Sequence, residues 1–172
     1  MNQLNEDNLV QAEAARFLHE ELGWESVFAY NEEVLGPEGT LGRTSEKEVY
    51  LVRYLRQALQ RLNPGLPFEA YEAAIRQLTE TRAGHNVDIR LNREKYNLFK
   101  NGVVVEYRTA SGELKKPRLQ VFDFSPENKN HFLAVRELKI SGTIYNRRPD
   151  IIGFVNGIPL LFVELKNVNV HI

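Results

Sequence analysis

Apolar residues recur at helical spacing in the first half of the chain and at strand spacing in the second. From Asp7 to Leu22 the stripe is Val10, Ala14, Phe17 and Leu18, which predicts a helix that stops at Gly23, where a left-handed C-cap costs little. Glu13 has Leu9 and Phe17 four residues to either side, so the same pattern sets it on or beside the buried stripe. A boundary carboxylate that reaches solvent is one reading of it. Residues 24–44 carry three glycines and a proline and read as a loop with one short strand. A second helix is predicted to open at Ser45, with Glu48 completing an S-x-x-E capping box. Val52, Leu55, Leu59 and Leu62 form its stripe and Asn63-Pro64-Gly65 ends it. A third runs from Pro67 to Arg82, with Ala70, Ala74, Ile75 and Leu78 inward and Gly84 as the stop.

After Gly84 the period drops to two. Segments 87–91, 96–100, 103–108, 119–124, 132–140, 151–155 and 158–165 are rich in Val, Ile, Phe and Tyr and read as strands. Asn101-Gly102 and Asn156-Gly157 are hairpin signals. Helices precede strands without βαβ alternation, so the expected class is α+β with a mainly antiparallel sheet. The expected organisation is a single domain, residues 1–172, with a helical part (1–84) and a sheet part (85–172).

Composition narrows the function. The chain has 172 residues and no cysteine, which excludes a disulfide scaffold, a thiolate metal site and a Cys nucleophile. Its start lacks a basic then apolar leader, and no window approaches the roughly 18 apolar residues of a membrane span. A cytoplasmic protein is therefore expected. The net charge of −1 argues against a nucleic-acid partner until the chain is divided. Residues 1–48 then carry three basic and eleven acidic groups, and residues 49–172 carry nineteen and twelve. Arg53, Arg56, Arg61, Arg76 and Arg82 lie on the predicted helices, either as a solvated face or as a DNA-backbone surface.

No phosphate loop, dinucleotide fingerprint or G-x-S-x-G motif is present. His19, His85, His131 and His171 are scattered without metal-ligand spacing and read as structural or exposed. The remaining chemistry lies in RRPDIIGFVNGIPLLFVELK, residues 147–166. Asp150 opens one strand of this hairpin, and Glu164 and Lys166 close the other on one face. A plain two-residue turn pairs Val155 with Ile158 and sets Asp150 opposite Val163, on the wrong face. A three-residue loop with a G1 bulge at Gly157, or another bulge of the same effect, unites Asp150, Glu164 and Lys166, and that register is expected. Two converging carboxylates need a cation, and Mg²⁺ suits Asp150, Glu164 and the Leu165 carbonyl. Such an ion activates water for in-line attack on phosphorus, with Lys166 neutralising the phosphate or orienting the water. The alternative is an ordinary hairpin whose Glu and Lys are solvated at a sheet edge.

The wording of the whole segment is more specific than this triad. RRPDIIGFVNGIPLLFVELK resembles the PD-(D/E)xK nuclease hairpin in the N-terminal region of the R (restriction and motor) subunit of type I restriction enzymes. The resemblance extends to LNREKYNLFKNGVVVEYR and DFSPENKNHFLAVRELKISG, and covers roughly residues 85–167, with weaker similarity in the first helix. It implies a restriction-endonuclease-like fold, Asp150 and Glu164 as Mg²⁺ ligands, Lys166 as the catalytic lysine, and an acidic residue from the first helix, here Glu13. It further implies double-stranded DNA as substrate, contacted at its backbone by Arg147, Arg148 and the helical arginines. Modification and specificity subunits are the implied partners, and ATP is used only by the full-length subunit, with no site in this chain. The family continues past E-x-K into a further core helix and a translocase, whereas this sequence ends six residues after Lys166. A fragment, with that helix missing, or a truncated product that only binds DNA or docks a partner, are the two expectations.

Overall fold

The computed structural model describes residues 6–80, 89–142 and 145–165. Among these are four helices: α1 (Glu6–Glu20), α2 (Val52–Leu62), α3 (Phe68–Thr79) and α4 (Ile89–Asn101). The strands are β1 (Glu25–Phe28), β2 (Val103–Val104), β3 (Tyr107–Arg108), β4 (Leu114–Lys115), β5 (Arg118–Leu119), β6 (Phe132–Arg136), β7 (Ile140–Ser141), β8 (Asn146–Arg147), β9 (Ile151–Val155) and β10 (Ile158–Val163). The main sheet has the order β1-β6-β9-β10, parallel between β1 and β6 and antiparallel elsewhere. The other pairs, β2-β5, β3-β4 and β7-β8, are short antiparallel ladders. The class is α+β, mainly antiparallel and restriction-endonuclease-like in its mixed sheet.

The chain forms two compact units, Met1–Arg53 with His131–Ile172, and Tyr54–Asn130. The first contains α1, the main sheet and the hairpin β9-β10. Its core includes Ala15, Ala134 and Ile151, with Ala14, Leu18, Trp24 and Val163 packed on them. Apolar alternation alone does not specify β9, because Ile151, Ile152, Gly153 and Phe154 are buried on both faces. In the second unit α2 buries Leu55, Ala58 and Leu59, and α3 buries Ala70, Tyr71, Ala74, Ile75 and Leu78.

Several expectations change here. Helix α1 ends as predicted, with Gly23 at φ +68° and its N–H on the His19 carbonyl at 3.1 Å. Helix α2, however, starts at Val52 and not at Ser45. Ser45 makes a tight turn to the Glu48 N–H (3.0 Å), while the Glu48 carboxylate accepts from the Thr44 N–H at 3.3 Å. The intervening carbonyls are claimed by a buried cation. Arg43, only 1% exposed, pairs through its fork with Glu33 and donates to the carbonyls of Glu48 (3.0 Å) and Lys139 (3.1 Å). Tertiary hydrogen bonding thus outcompetes a local capping box.

The strands predicted over 87–91 and 96–100 are replaced by helix α4, with residues 87 and 88 outside the described residues. Lys95, Leu98 and Phe99 are its partly buried positions, a spacing of three and four that fits a helix and not a strand. Lys95 donates to the Gln77 and Leu78 carbonyls at 2.9 and 2.8 Å, where α3 leaves its last acceptors open. Asn101-Gly102 is then a helix stop and not a hairpin turn: Gly102, at φ +83°, donates to the Leu98 carbonyl at 3.0 Å.

Three of the arginines on the helices find internal partners, while Arg76 is exposed. Arg53 donates to the carbonyls of Gly39 (2.8 Å) and Thr40 (2.7 Å), Arg56 pairs with Glu72 at 2.7 Å, and Arg61 donates to the Lys129 carbonyl at 2.9 Å. Arg82 lies outside the described residues. The charge division shifts as well, because the acid-rich first segment folds into the same unit as the hairpin. That unit carries nine basic and fourteen acidic residues, net −5, and Tyr54–Asn130 is net +4.

Candidate active site

The hairpin begins with a short turn. Asn156 and Gly157 have φ of +52° and +78°, the two positive values of a type I′ connection, and Val155 pairs with Ile158. Tertiary bonds hold it short. Asn156, fully buried, accepts the His131 N–H on Oδ1 and donates its own N–H to the His131 carbonyl, both at 2.8 Å. The Gly157 carbonyl accepts the Leu51 N–H at 2.9 Å.

A three-residue loop is therefore absent, and the register changes further along. Phe154 pairs with Pro159, but Gly153 pairs with Leu161, so Leu160 is an extra residue in β10. The break follows Pro159, which has no N–H for the ladder, a position where bulges are tolerated. Beyond the bulge Phe162 faces Ile152 and Val163 faces Ile151. One further step along both strands sets Asp150 opposite Glu164, the even register reached by a different device.

Asp150 is tied at three points. Its carbonyl accepts the Glu137 N–H at 3.0 Å. Its Oδ2 accepts the backbone N–H of Leu165 at 2.5 Å, which draws the carboxylate onto the E-L-K segment. Its Oδ1 accepts the side-chain amide of Gln11 at 2.7 Å. Each carboxylate oxygen retains a lone pair after these bonds. Glu164 is exposed and Leu165 partly buried. Two carboxylates and a backbone carbonyl at adjacent positions are hard oxygen donors of the kind a small divalent cation takes, with waters completing the shell. Lys166 lies outside the described residues.

The structure separates Glu13 from this group. Glu13 is exposed and pairs with Arg16 one turn away at 2.6 Å. Its predicted stripe is rotated: Val10 and Phe17 are 48% and 58% exposed, and the buried face is Gln11, Ala14, Ala15 and Leu18. Two residues from Gln11 is about 200° of helical rotation, so Glu13 points away. Gln11, 7% exposed, is the helix α1 residue that reaches the carboxylate. The signal for it was polarity on the 11-15-18 face, which the aromatic Phe17 obscured.

Arg147 and Arg148 are exposed, with their guanidinium carbons 5.6 Å from the Tyr145 ring and 4.5 Å from the Tyr30 ring.

A model of the type I restriction enzyme R protein N terminus matches residues 3–172. The chain belongs to this family. It is 39% identical over 165 residues to the type I restriction enzyme HindI endonuclease subunit of Haemophilus influenzae, an alignment that covers 95% of this chain and 15% of the relative. It is 30% identical over 168 residues to the putative type I restriction enzyme MjaIXP endonuclease subunit of Methanocaldococcus jannaschii, again 95% and 15%. The chain thus spans about 15% of the length of these curated relatives. No helix among the described residues is long and apolar enough to cross a membrane.

Proposed function

We propose that residues 1–172 act as the N-terminal nuclease region of a type I restriction R subunit and hydrolyse DNA phosphodiesters with Mg²⁺. The observation that carries this reading is the bond from Asp150 Oδ2 to the Leu165 N–H, which joins the P-D and E-L-K motifs at the sheet end. Asp150, Glu164 and the Leu165 carbonyl are the residues to hold the ion, which when bound lowers the pKa of water and stabilises charge on the phosphate. Gln11 and the Leu165 N–H orient the Asp150 carboxylate, leaving the outward lone pairs for the ligand. Lys166 supplies a compact positive charge to the phosphate. Recognition of sequence belongs to other subunits of a cytoplasmic complex, ATP is used by the rest of the full-length subunit, and contacts to double-stranded DNA here are to its backbone.

Titration of the chain with Mn²⁺, followed by water-proton relaxation, separates ligand binding from turnover. Weakened binding in Asp150→Asn and Glu164→Gln, with loss of Mg²⁺-dependent nicking of plasmid DNA, is the expected result. If both variants bind Mn²⁺ as the parent chain does, the ligand assignment is wrong.

A further inference from the structure

The sheet row that contains Ile151 also contains Phe28 and Arg136, which begin a column of two stacked rings with a cation over each end. Phe28 of β1 pairs with Arg136 of β6, Arg136 pairs with Ile151, and Ile151 pairs with Val163. Asp150 and Glu164 are one residue beyond that row, so Phe28 and Arg136 stand at the same end of the sheet. The Arg136 guanidinium carbon lies 4.7 Å from the Phe28 ring centre. Phe28 stacks on Tyr30, with centroids 6.1 Å apart and planes at 25°. Arg148, two residues before Asp150, covers the Tyr30 ring at 4.5 Å. Phe28 and Tyr30 are 36% and 42% exposed, so the column is at the surface.

The charges in this column are not internally balanced. Among the described residues neither Arg136 nor Arg148 pairs with a carboxylate, and the buried Nε of Arg136 has no acceptor. Both cations are supported by ring faces, which hold a guanidinium in place without neutralising it. The surrounding unit is net −5, so the partly buried Arg136 and the exposed Arg148, both unneutralised, are a local exception at this end of the sheet. A planar guanidinium fixed by a ring presents its fork to an anion with little ordering left to do, and a phosphodiester oxygen pair fits that fork.

We propose that Arg136–Phe28–Tyr30–Arg148 is a backbone clamp that seats DNA phosphates at the end of the sheet that carries Asp150 and Glu164, with Tyr30 as a positioning residue for Arg148. This rests on the nuclease reading above and names its substrate contact. The clamp touches phosphate and not bases, so it is indifferent to sequence.

The test is fluorescence anisotropy of a labelled duplex bound to the full chain in EDTA, so that no cleavage occurs, over a range of salt. Arg148→Gln reduces the slope of log affinity against log salt by about 1. Tyr30→Leu weakens binding about 2- to 10-fold with the slope unchanged, and Tyr30→Phe, which keeps the ring, binds as the parent chain does. Thermal unfolding shows that each variant is folded, and Phe28→Tyr serves as a second ring-preserving control. An unchanged salt slope in Arg148→Gln, or parent-like affinity in folded Tyr30→Leu, overturns the clamp. Loss confined to single-stranded DNA also overturns it, in favour of base stacking. Asp150→Asn keeps the affinity and loses cleavage. If it cleaves normally while the clamp variants weaken binding, the nuclease assignment fails and the clamp stands. If it is inactive while the clamp variants bind normally, the reverse holds.

Discussion

Gln11 of helix α1 donates its side-chain amide to Asp150 at the mouth of the hairpin, 139 residues later in the chain, at 2.7 Å. A neutral donor here fixes the carboxylate in place, whereas an acid at the same position removes the donor and sets a second carboxyl group against it. Gln11→Ala removes one part-buried hydrogen bond to a charged group and costs about 1.5–3 kcal/mol. Gln11→Glu costs more at neutral pH, and its deficit relative to Gln11→Ala narrows in acid as the introduced carboxylate protonates. Melting temperatures of both variants at neutral and acid pH check this. Equal deficits at the two pH values reject the like-charge argument.

Gly153 has no side chain because Trp24 occupies the space. A Cβ at this position meets Trp24 Cζ3 at 2.8 Å and Leu161 Cβ at 2.9 Å, the latter on the partner strand. Trp24 has little freedom to retreat, since its ring lies 5.2 Å from that of Phe132. Gly153→Ala therefore destabilises the chain by about 1–3 kcal/mol through overpacking. Urea unfolding measures it. If Trp24→Leu relieves most of the loss in the double variant, the contact with the ring is its source.

Arg43 and Glu33 form a pair whose side chains are 0% and 8% exposed. Removing one partner strands a buried charge, which costs about 3–5 kcal/mol. Arg43→Met is expected to fall in that range and Arg43→Lys to recover part of it, because an ammonium lacks the fork that reaches Glu33 and two carbonyls together. Combining Arg43→Met with Glu33→Leu recovers stability relative to Arg43→Met alone. A double-mutant cycle with no coupling contradicts the pairing as a source of loop order.

The sequence made some of this legible and hid the rest for identifiable reasons. The apolar stripes of α2 and α3 are read directly, because Leu55, Leu59, Ala74 and Leu78 repeat at the helical period and are buried. Asn156-Gly157 announces its turn because few residue pairs accept two positive φ values. Helix α4 is hidden because Tyr96 and Phe99 favour strands in isolation, and the context that overrides them, Lys95 on the end of α3, is tertiary. The pairing of Asp150 with the E-L-K segment depends on one extra residue after Pro159, and a bulge leaves no periodic trace. Gln11 is missed in favour of Glu13 because acidity marks a metal site more plainly than a neutral amide does. Arg43 is invisible because charge suggests exposure, and burial depends on Glu33 and Lys139 being brought together by the fold.

Asp123 provides the pH-dependent prediction. Its carboxylate accepts the backbone N–H groups of Lys129 and Ser125, both at 2.9 Å, and these bonds hold its pKa below the ordinary 3.8. A folded-state value that is depressed contributes stability fully present above 3.8 and lost as the pH falls through the lower folded value. Asp123→Asn keeps the shape but sets an amide NH₂ against one of the two N–H donors. The variant is therefore less stable than the parent chain at neutral pH, and the difference shrinks as the pH falls below 3.8. Glu46, lowered first by its hydrogen bond from Ser141 and then by Lys139, titrates in the same direction, so the variant retains an acid limb of its own. Urea midpoints of both proteins from neutral to strongly acid pH decide the matter: a difference that stays constant through the carboxylate range removes Asp123 as its cause.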